Sequence, residues 1–495
     1  MSNMAVLCSF AKTPDRLTTT VHEKLQLGNR ICSAGATAAQ THFRIQLQRC
    51  EFSGRRLFLL QAPYRRVTKA AWGGDAGIGM RTPSMGANNR EEESKRTIEQ
   101  ELQGAQVETV VIVGAGIAGL ATALALHRVG VRAVVLEQAE SLRTDGTSLT
   151  LFPNAWRALD ALGVAQELRP QFINIMGPHE VRAVERKVLL ETLAKPLPTG
   201  TIKFAAKVKK ICKPRGPKGI TEVELENGMI ILTKVLVGCD GGNSVVAKWM
   251  GFSQPRPVGQ VTIRGISEYR NGHTFDPVIH QIMGQGTRAG IVPVSQTKVY
   301  WFVLFKASPS VPKIISDPDK VKEEALNYMR GWPVDIQECI EMTPLSCFSR
   351  GVIWDRWSIP FMTPQQEMNG VTLAGDACHP MTPNLGQGGC TALEDSIVLV
   401  RKLYQVLKRE LSKPMDEDFS LEHTGIGAAL ADYQSERWPR TFGLTVKSYI
   451  FGALLGWDLG LICFIRDNIA LPFMFRASAV LGHSKFDCGQ LPSPP

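Results

Sequence analysis

Three glycines, Gly114, Gly116 and Gly119, have the G-x-G-x-x-G spacing of loops that bind the pyrophosphate of a dinucleotide. In such loops the first glycine permits a tight turn, the second lets the main chain approach the phosphates, and the third allows a helix to pack closely on a strand. Glu137 lies 18 residues beyond the third glycine, where its carboxylate can accept hydrogen bonds from ribose hydroxyls. The pattern predicts a dinucleotide site, but it does not distinguish NAD from FAD.

Two further motifs each place a carboxylate next to a glycine. Asp240 and Gly241 follow one apolar segment, and Gly375 and Asp376 follow another. Because ligands of open α/β sheets bind at the carboxyl ends of the strands, both carboxylates are expected at the dinucleotide site. The second motif leads into the glycine-rich residues 386–389 and then into a predicted helix, whose N-terminal N–H groups favour negative charge.

The segments around these motifs have the hydrophobic patterns of an α/β protein. The β-branched residues 109–113 predict a buried parallel strand, residues 117–129 a helix and residues 133–136 a second strand, which together form a βαβ unit. Between residues 252 and 357 the pattern changes to strands with alternating polarity, such as residues 299–303. A separate antiparallel sheet is therefore expected in the middle of the chain.

These three motifs, in this order, resemble those of the FAD-dependent aromatic hydroxylase and epoxidase family, which includes salicylate hydroxylase, urate hydroxylase and zeaxanthin epoxidase. The chain is most similar to the plant FAD-dependent monooxygenases of that family, over roughly residues 109–438. The resemblance implies an α/β fold in which a Rossmann-type FAD-binding domain is interleaved with an antiparallel-sheet substrate domain. It assigns these positions to FAD: Gly114, Ala115, Gly116, Ile117, Ala118, Gly119, Glu137, Gln138, Arg186, Val208, Asp240, Gly241, Gly375, Asp376, Gly386, Gln387, Gly388 and Gly389.

The resemblance also implies a role for each motif. Arg186 begins an R-x-x-L-x-x-x-L pattern and would reach the flavin or its phosphates, while Val208 would offer main-chain contacts to the adenine. Asp240 would serve both FAD and a visiting nicotinamide nucleotide. Asp376 would bind the ribitol or ribose side of FAD. Residues 386–389 would lie along the isoalloxazine, and the following helix would stabilise the reduced anion.

The implied reaction is that of an NAD(P)H-dependent monooxygenase. NAD(P)H reduces FAD, O2 adds to give a C4a-hydroperoxyflavin, and the distal oxygen hydroxylates or epoxidises a small aromatic or lipophilic substrate. One dinucleotide motif is present, so the nicotinamide is expected to visit transiently. Two alternatives remain open: a flavin-dependent reductase or dehydrogenase without oxygenation, and a redox-silent flavin-binding regulatory protein.

No side chain is assigned a catalytic role, because in such flavoenzymes the cofactor transfers the oxygen and the protein supplies positioning and a dry site. His379 is interpreted as a structural hydrogen-bonding residue and Cys390 as a small packing residue. Ala247 stands where the family often has arginine. No metal site is predicted. Candidate walls of the substrate pocket are Arg264, Gln281, Tyr300, Trp301 and Phe302.

The first hundred residues differ in composition from the rest. Residues 1–90 contain 13 lysines and arginines but 4 acidic residues, and this net charge of +9 is nearly all of the chain's +10. The remainder is close to neutral, which argues against nucleic-acid binding. Residues 1–105 are therefore predicted to be a transit peptide or a disordered extension. A chloroplast is the first expectation and a mitochondrion the second, with the cytoplasm as the location if the extension is not a targeting peptide.

The expected domain order follows from these segments. Residues 106–251 and 361–440 form the two parts of the FAD-binding domain, and residues 252–360 form the substrate domain. Residues 441–495 are predicted to be an apolar helical tail. The tail is interrupted by charges and too short to span a bilayer as one helix, so it is expected either to pack on the catalytic domains or to make peripheral contact with a membrane.

Overall fold

The computed structural model describes most of the chain beyond residue 104 and a short strand near the N-terminus. The described residues are 6–9, 105–142, 147–212, 220–307, 317–359, 367–411, 423–456, 460–466, 468 and 481–493. They belong to one compact unit. The predictions made for residues 10–104 lie outside the described residues.

The described part of the chain alternates strands and helices. In chain order the strands are β1 (Val6–Ser9), β2 (Gln106–Val113), β3 (Val134–Leu136), β4 (Ser148–Leu151), β5 (Arg182–Glu185), β6 (Ile202–Lys203), β7 (Val208–Cys212), β8 (Thr221–Leu225), β9 (Ile230–Gly238), β10 (Arg256–Glu268), β11 (His280–Met283), β12 (Thr287–Pro293), β13 (Lys298–Lys306), β14 (Ser349–Asp355), β15 (Glu367–Met368) and β16 (Val371–Leu373). The helices are α1 (Ile117–Arg128), α2 (Pro153–Ala161), α3 (Ala165–Leu168), α4 (Arg186–Ala194), α5 (Val245–Trp249), α6 (Pro318–Tyr328), α7 (Val334–Glu341), α8 (Gly388–Leu411), α9 (His423–Leu455) and α10 (Gly460–Ile465).

The first layer is a mostly parallel sheet. Strands β16, β9, β2, β3 and β6 lie side by side and parallel in that order, and β15, β8 and β7 extend the sheet through antiparallel pairings. Val110, Val111, Ile112 and Val113 of β2 are buried because apolar residues cover both faces of the sheet there. The predicted βαβ unit is thus present, with β2 beginning three residues earlier than expected. The fold class predicted from the sequence is confirmed.

Helix α1 lies between this sheet and α8, and its small residues allow that close packing. Alanine and glycine at most of its buried positions keep the two helices near enough for polar side chains to meet. The Oγ1 of Thr122 donates a hydrogen bond of 3.0 Å to the Oγ of Ser396, which in turn donates to the Ala118 carbonyl. These hydrogen bonds hold the first turns of α1 against α8.

The second layer is an antiparallel sheet with the strand order β1, β11, β12, β13, β10 and β14. Side chains alternate between its faces. Trp301 belongs to the face covered by α6 and α7, where it is fully buried and donates a hydrogen bond of 2.7 Å to Thr343. Its neighbours Tyr300 and Phe302 lie on the other face, together with Arg264, which pairs with Phe302 across the sheet. Trp301 is therefore not part of the candidate pocket wall. Successive side chains of a strand point to opposite faces, so residues 300, 301 and 302 cannot all line one pocket.

The C-terminal segments pack on the catalytic layers. Helix α9 runs unbroken through the predicted boundary at residue 440, and its residues contact both sheets. Farther on, Arg157 donates a hydrogen bond of 2.6 Å to the Phe486 carbonyl, which anchors the chain end to α2.

No described helix is long and apolar enough to cross a membrane. Membrane contact stays a prediction. Ile450 and Phe464 are exposed, so replacing both by aspartate should abolish co-sedimentation with liposomes if the protein binds membranes there.

Candidate cofactor and substrate site

The register of the parallel sheet brings the sequence motifs to one edge. Val113 pairs with Leu136 on one side and with Gly238 on the other, and Gly238 pairs with Leu373. These four residues end their strands, so the residues that follow them emerge next to one another. They are Gly114, Glu137, Asp240 and Gly375, each within two residues of its strand end.

The geometry of the glycine loop fits a dinucleotide. Gly114 has a φ of 99°, and a Cβ atom there would lie 2.7 Å from the Cys239 carbonyl oxygen. A Cβ on Gly119 would overlap the carbonyl oxygen of Gly114, so α1 can approach the strand only with glycine here. A Cβ on Gly116, by contrast, would meet no atom within 4 Å. The main chain at Gly116 therefore faces open space at the start of α1, where helix N–H groups attract phosphate.

Glu137 is buried at the end of β3 and holds the glycine loop. One carboxylate oxygen accepts a hydrogen bond of 2.8 Å from the Ala115 N–H, and the other accepts one of 2.9 Å from the Ala139 N–H. Each oxygen can accept more than one hydrogen bond, so ribose hydroxyls can still bind. The Ala206 N–H donates a hydrogen bond to the Glu137 carbonyl. This contact places the start of β7, at Val208, near the end of β3, where the exposed Gln138 follows Glu137.

Only one of the two carboxylate oxygens of Asp240 has a hydrogen-bond partner among the described residues. Its Oδ2 accepts a hydrogen bond of 2.7 Å from the Val245 N–H, whereas its Oδ1 is buried without a partner. Burial raises the pKa of Asp240. A buried oxygen without a donor is costly, and a ligand hydroxyl would satisfy it. This fits the predicted cofactor contact.

Arg356, which follows β14, joins the two carboxylate motifs. Its guanidinium donates a hydrogen bond of 2.7 Å to the Ala377 carbonyl and one of 3.3 Å to the Gly242 carbonyl. Ala247, where the family often has arginine, is fully buried under this region. Burial lowers the pKa of Arg356. The arginine that binds these loops therefore comes from the substrate domain, a contact between distant segments that no sequence spacing indicates.

Asp376 lies at the same edge, on a turn that only glycine can begin. Gly375 has a φ of 59°, and a Cβ atom there would lie 2.9 Å from the Cβ of Ala118. The Asp376 side chain keeps solvent-accessible surface, but the surrounding protein removes part of its hydration and so raises the pKa of its carboxyl. The carboxylate also faces the first turn of α8, since a Cβ on Gly388 would lie 3.9 Å from its Oδ1. Asp376 thus connects the glycine loop with residues 386–389.

A buried ionic cluster supports that turn. Asp395 of α8 accepts a hydrogen bond of 2.8 Å from the Gly375 N–H, contacts His379 Nε2 at 2.6 Å and accepts one of 2.7 Å from Arg437 Nε. Arg437 also forms an ion pair of 2.7 Å with Glu394. Burial by itself would raise the pKa of Asp395, but His379 and Arg437 outweigh it and lower this pKa to about 2. His379 is therefore a structural residue, as interpreted from the sequence.

Residues 386–389 form the turn into α8. Gly386 has a φ of 63°, which favours glycine, and a Cβ on Gly389 would lie 2.6 Å from the end of the Leu149 side chain, which would have to move. The Gln387 side chain is fully buried and accepts a hydrogen bond of 2.9 Å from Asn154 of α2. Its Nε2 is buried without a hydrogen-bond partner in the described chain, so the donor end of this side chain remains available. Burial raises the pKa of the Cys390 thiol to about 12, which keeps it neutral and suits a packing residue.

Arg186 does not follow any of the aligned strand ends. It is the first residue of α4, it is half-buried, and its N–H donates a hydrogen bond of 3.3 Å to the Thr147 carbonyl next to β4. The structure thus places it beside the β4–β5 ribbon, and its role toward the flavin stays a prediction.

Comparison with known proteins agrees with this geometry. A family model described as the FAD binding domain matches residues 107–230 and 187–431. The chain belongs to the FAD-dependent aromatic hydroxylase family. It is 36% identical over 404 residues to Monooxygenase 2 of Arabidopsis thaliana, covering 77% of this chain and 98% of the relative, and 33% identical over 408 residues to Monooxygenase 1 of the same plant, covering 77% and 99%.

A solved structure gives the same result for the fold. HpxO of Klebsiella pneumoniae, solved with FAD and uric acid, matches with a TM-score of 0.62 and 21% identity over 76% of this chain and 96% of that one. The predicted cofactor is confirmed as FAD. That FAD binds at the aligned strand ends stays a prediction.

Two glycine substitutions separate binding of FAD from folding. Gly116→Val places a side chain in open space, so the apoprotein should keep its melting temperature while the purified protein loses its FAD. Gly119→Ala instead collides with the main chain, so it should lower the melting temperature of the apoprotein as well. Absorbance at 450 nm and differential scanning fluorimetry measure the two effects. A Gly116→Val protein with full FAD content would contradict the assignment.

The buried cluster predicts a dependence of stability on pH. The pKa of Asp395 is lowered in the folded protein, so its contribution is present above the unfolded value near pH 4 and is lost as the pH falls toward about 2. Asp395→Asn leaves Arg437 and His379 with less counter-charge and should cost roughly 3–5 kcal/mol at pH 7. Acid unfolding followed by circular dichroism measures both. The exposed Asp432→Asn on α9 is the control, and equal acid sensitivity of wild type and Asp395→Asn would refute the role of the cluster.

Proposed function

We propose that the protein is an NAD(P)H-dependent FAD monooxygenase that inserts one atom of O2 into a small substrate held between the FAD site and the antiparallel sheet. The observation that carries the proposal is the placement of that sheet. Its face with Arg264, Tyr300 and Phe302 lies toward the FAD domain, and Arg288 on the same face donates a hydrogen bond to Asn384, two residues before the segment 386–389.

The arrangement also supplies a dry site. Val292 and Val294 of the substrate domain belong to the same buried apolar cluster as Leu151 and Ala374 of the FAD domain, and Tyr300 packs against it. Exclusion of water protects reactive oxygen chemistry and strengthens electrostatic interactions. FAD, when bound, supplies the activation of O2, and the protein's part is to position the substrate and keep water out.

The relatives support oxygenation over simple reduction. Besides the two Arabidopsis monooxygenases, a Stigmatella aurantiaca protein named aurachin C monooxygenase/isomerase is 32% identical over 386 residues. The overall reaction is substrate, O2, NAD(P)H and a proton giving hydroxylated or epoxidised substrate, NAD(P)+ and water. The sequence contains one dinucleotide motif, already used by FAD, so we propose transient binding of the nicotinamide near Asp240.

A turnover experiment tests the proposal. The purified holoprotein is screened with phenolic, indolic and terpenoid compounds for stimulated oxidation of NADH and NADPH, and active compounds are repeated under 18O2. One 18O atom per product molecule, absent with Gly116→Val, is the expected result. Stimulated oxidation with reduction of a quinone or dye but no label in any product would indicate the reductase alternative. No flavin-dependent oxidation with any compound would favour a redox-silent protein.

We propose further that residues 1–105 direct the protein to an organelle, with the chloroplast first and the mitochondrion second. The proposal rests on the excess of basic over acidic residues in this segment. A fusion of residues 1–105 to a fluorescent reporter should enter chloroplasts of plant cells. A matched fusion with the arginines of this segment changed to glutamine should stay in the cytoplasm, and a cytoplasmic wild-type fusion would refute targeting.

A further inference from the structure

The last described segment of the chain, residues 481–493, is bound to the FAD domain by side chains of two helices. Arg157 of α2 donates hydrogen bonds to two carbonyls of the segment, the shorter one of 2.6 Å to that of Phe486. Arg401 of α8 donates one of 2.7 Å to the Cys488 carbonyl, and Cys488 is itself fully buried in the apolar cluster of that domain. We call residues 481–493 the C-terminal strap.

One strap side chain, Phe486, covers the buried ionic cluster. Its ring lies 4.8 Å from the guanidinium of Arg437 and 5.1 Å from that of Arg440. These arginines bind Glu394 at 2.7 and 3.0 Å, and Glu394 is fully buried. An ion pair is stronger in a low dielectric, which an apolar ring preserves by keeping water away, and the face of the ring also attracts the cations.

Glu394 connects this cluster to the turn that leads into α8. Its Oε1 accepts a hydrogen bond of 2.6 Å from the Nδ2 of Asn154, and the same Nδ2 donates one of 2.9 Å to the Gln387 side chain. All three side chains are fully buried. Because Asn154 uses both of its side-chain N–H donors, a shift of Glu394 would move the group that holds Gln387. Phe486 therefore lies at one end of a chain of contacts and the segment 386–389 at the other.

A second strap side chain, His483, contacts the same turn through an aromatic ring. The His483 ring meets the Phe152 ring edge to face, with centroids 5.5 Å apart. Phe152 is buried and borders Gly386, where a Cβ atom would lie 3.0 Å from its Cε2. Burial lowers the pKa of His483 to about 4, so the ring is neutral at pH 7 and suits an apolar neighbour. Two separate routes thus lead from the strap to the segment 386–389.

We propose that the strap is a positioning element of the flavin site, in which Phe486 and His483 hold the segment 386–389 in the conformation that binds the isoalloxazine. The inference rests on the proposed flavin site and on no property of the substrate. The N–H groups at the start of α8 stabilise a reduced flavin anion only when they point toward it, because the interaction falls off within the first turn. The strap therefore influences both the retention of FAD and its reduction potential.

Variants of the holoprotein test the inference without substrate or NAD(P)H. Release of FAD is followed by the rise in flavin fluorescence on dilution, which gives Kd, and the midpoint potential is measured by equilibration with a reference dye. Phe486→Ala uncovers the ionic cluster and should lower the midpoint potential and raise Kd about tenfold, the size that one desolvated cation–π contact can supply. Phe486→Tyr retains the ring and should keep both values near those of wild type.

A matched control separates positioning from general stability. Tyr328→Ala removes another half-buried ring, stacked on Phe305 at 3.7 Å beside the antiparallel sheet, and should lower the melting temperature without changing Kd or the potential. A Phe486→Ala protein that loses only melting temperature, as this control does, would overturn the inference. If Phe486→Ala does not fold, His483→Ala decides by the same two measurements.

A substitution in the turn itself distinguishes the strap from the flavin site. Gly386 has a φ of 63°, so Gly386→Ala disturbs the turn directly and should change Kd and the potential whatever the strap does. If Gly386→Ala changes them and Phe486→Ala does not, the strap inference fails while the flavin site stands. If neither variant changes them, the assignment of the segment 386–389 to the flavin fails as well. Oxygenation is not measured, so each result is distinct from failure of the proposed reaction.

Discussion

The geometry of the turn after β16, at the aligned strand ends, depends on one buried carboxylate, that of Asp395. It lies in α8, yet it accepts a hydrogen bond from the main chain of Gly375, contacts His379 and neutralises Arg437 of α9. The turn after β16 has no regular secondary structure to fix it beyond a single 3-10 turn. An ionic group with three partners in a dry environment gives that turn one conformation, because any other arrangement would leave a buried charge unpaired.

The same cluster explains why α9 belongs to the catalytic unit and not to a separate tail. Arg437 and Arg440 both reach Glu394, and the ring of Phe486 lies against both guanidiniums at 4.8 and 5.1 Å. Tyr433, one turn earlier, donates a hydrogen bond to the Leu373 carbonyl at the end of β16. The helix therefore binds the strand, the loop and the chain end together. Leu444 and Leu455, farther along the same helix, are also buried.

Sequence reasoning was most successful where local chemistry fixes the structure. Gly114 and Gly119 are required by a positive φ and by a collision with the main chain, and both constraints act within a few residues. It was least successful where distant segments meet. Arg356 reaches Ala377 and Gly242 from another sheet, and nothing in its neighbours indicates that contact. The adjacent acids Glu394 and Asp395 did carry a signal, since they interrupt an otherwise apolar helical run, which indicates buried and therefore paired charges.

The buried arginines of the described chain differ in the kind of hydrogen-bond partner that the protein gives them. Arg437 and Arg350 form ion pairs with carboxylates, and Arg356 donates hydrogen bonds to main-chain carbonyls. These interactions stabilise the fold. Arg288 has a single amide oxygen, and the groups around it on the sheet are also unsatisfied. The amide of Asn384 orients the Arg288 guanidinium without neutralising its charge.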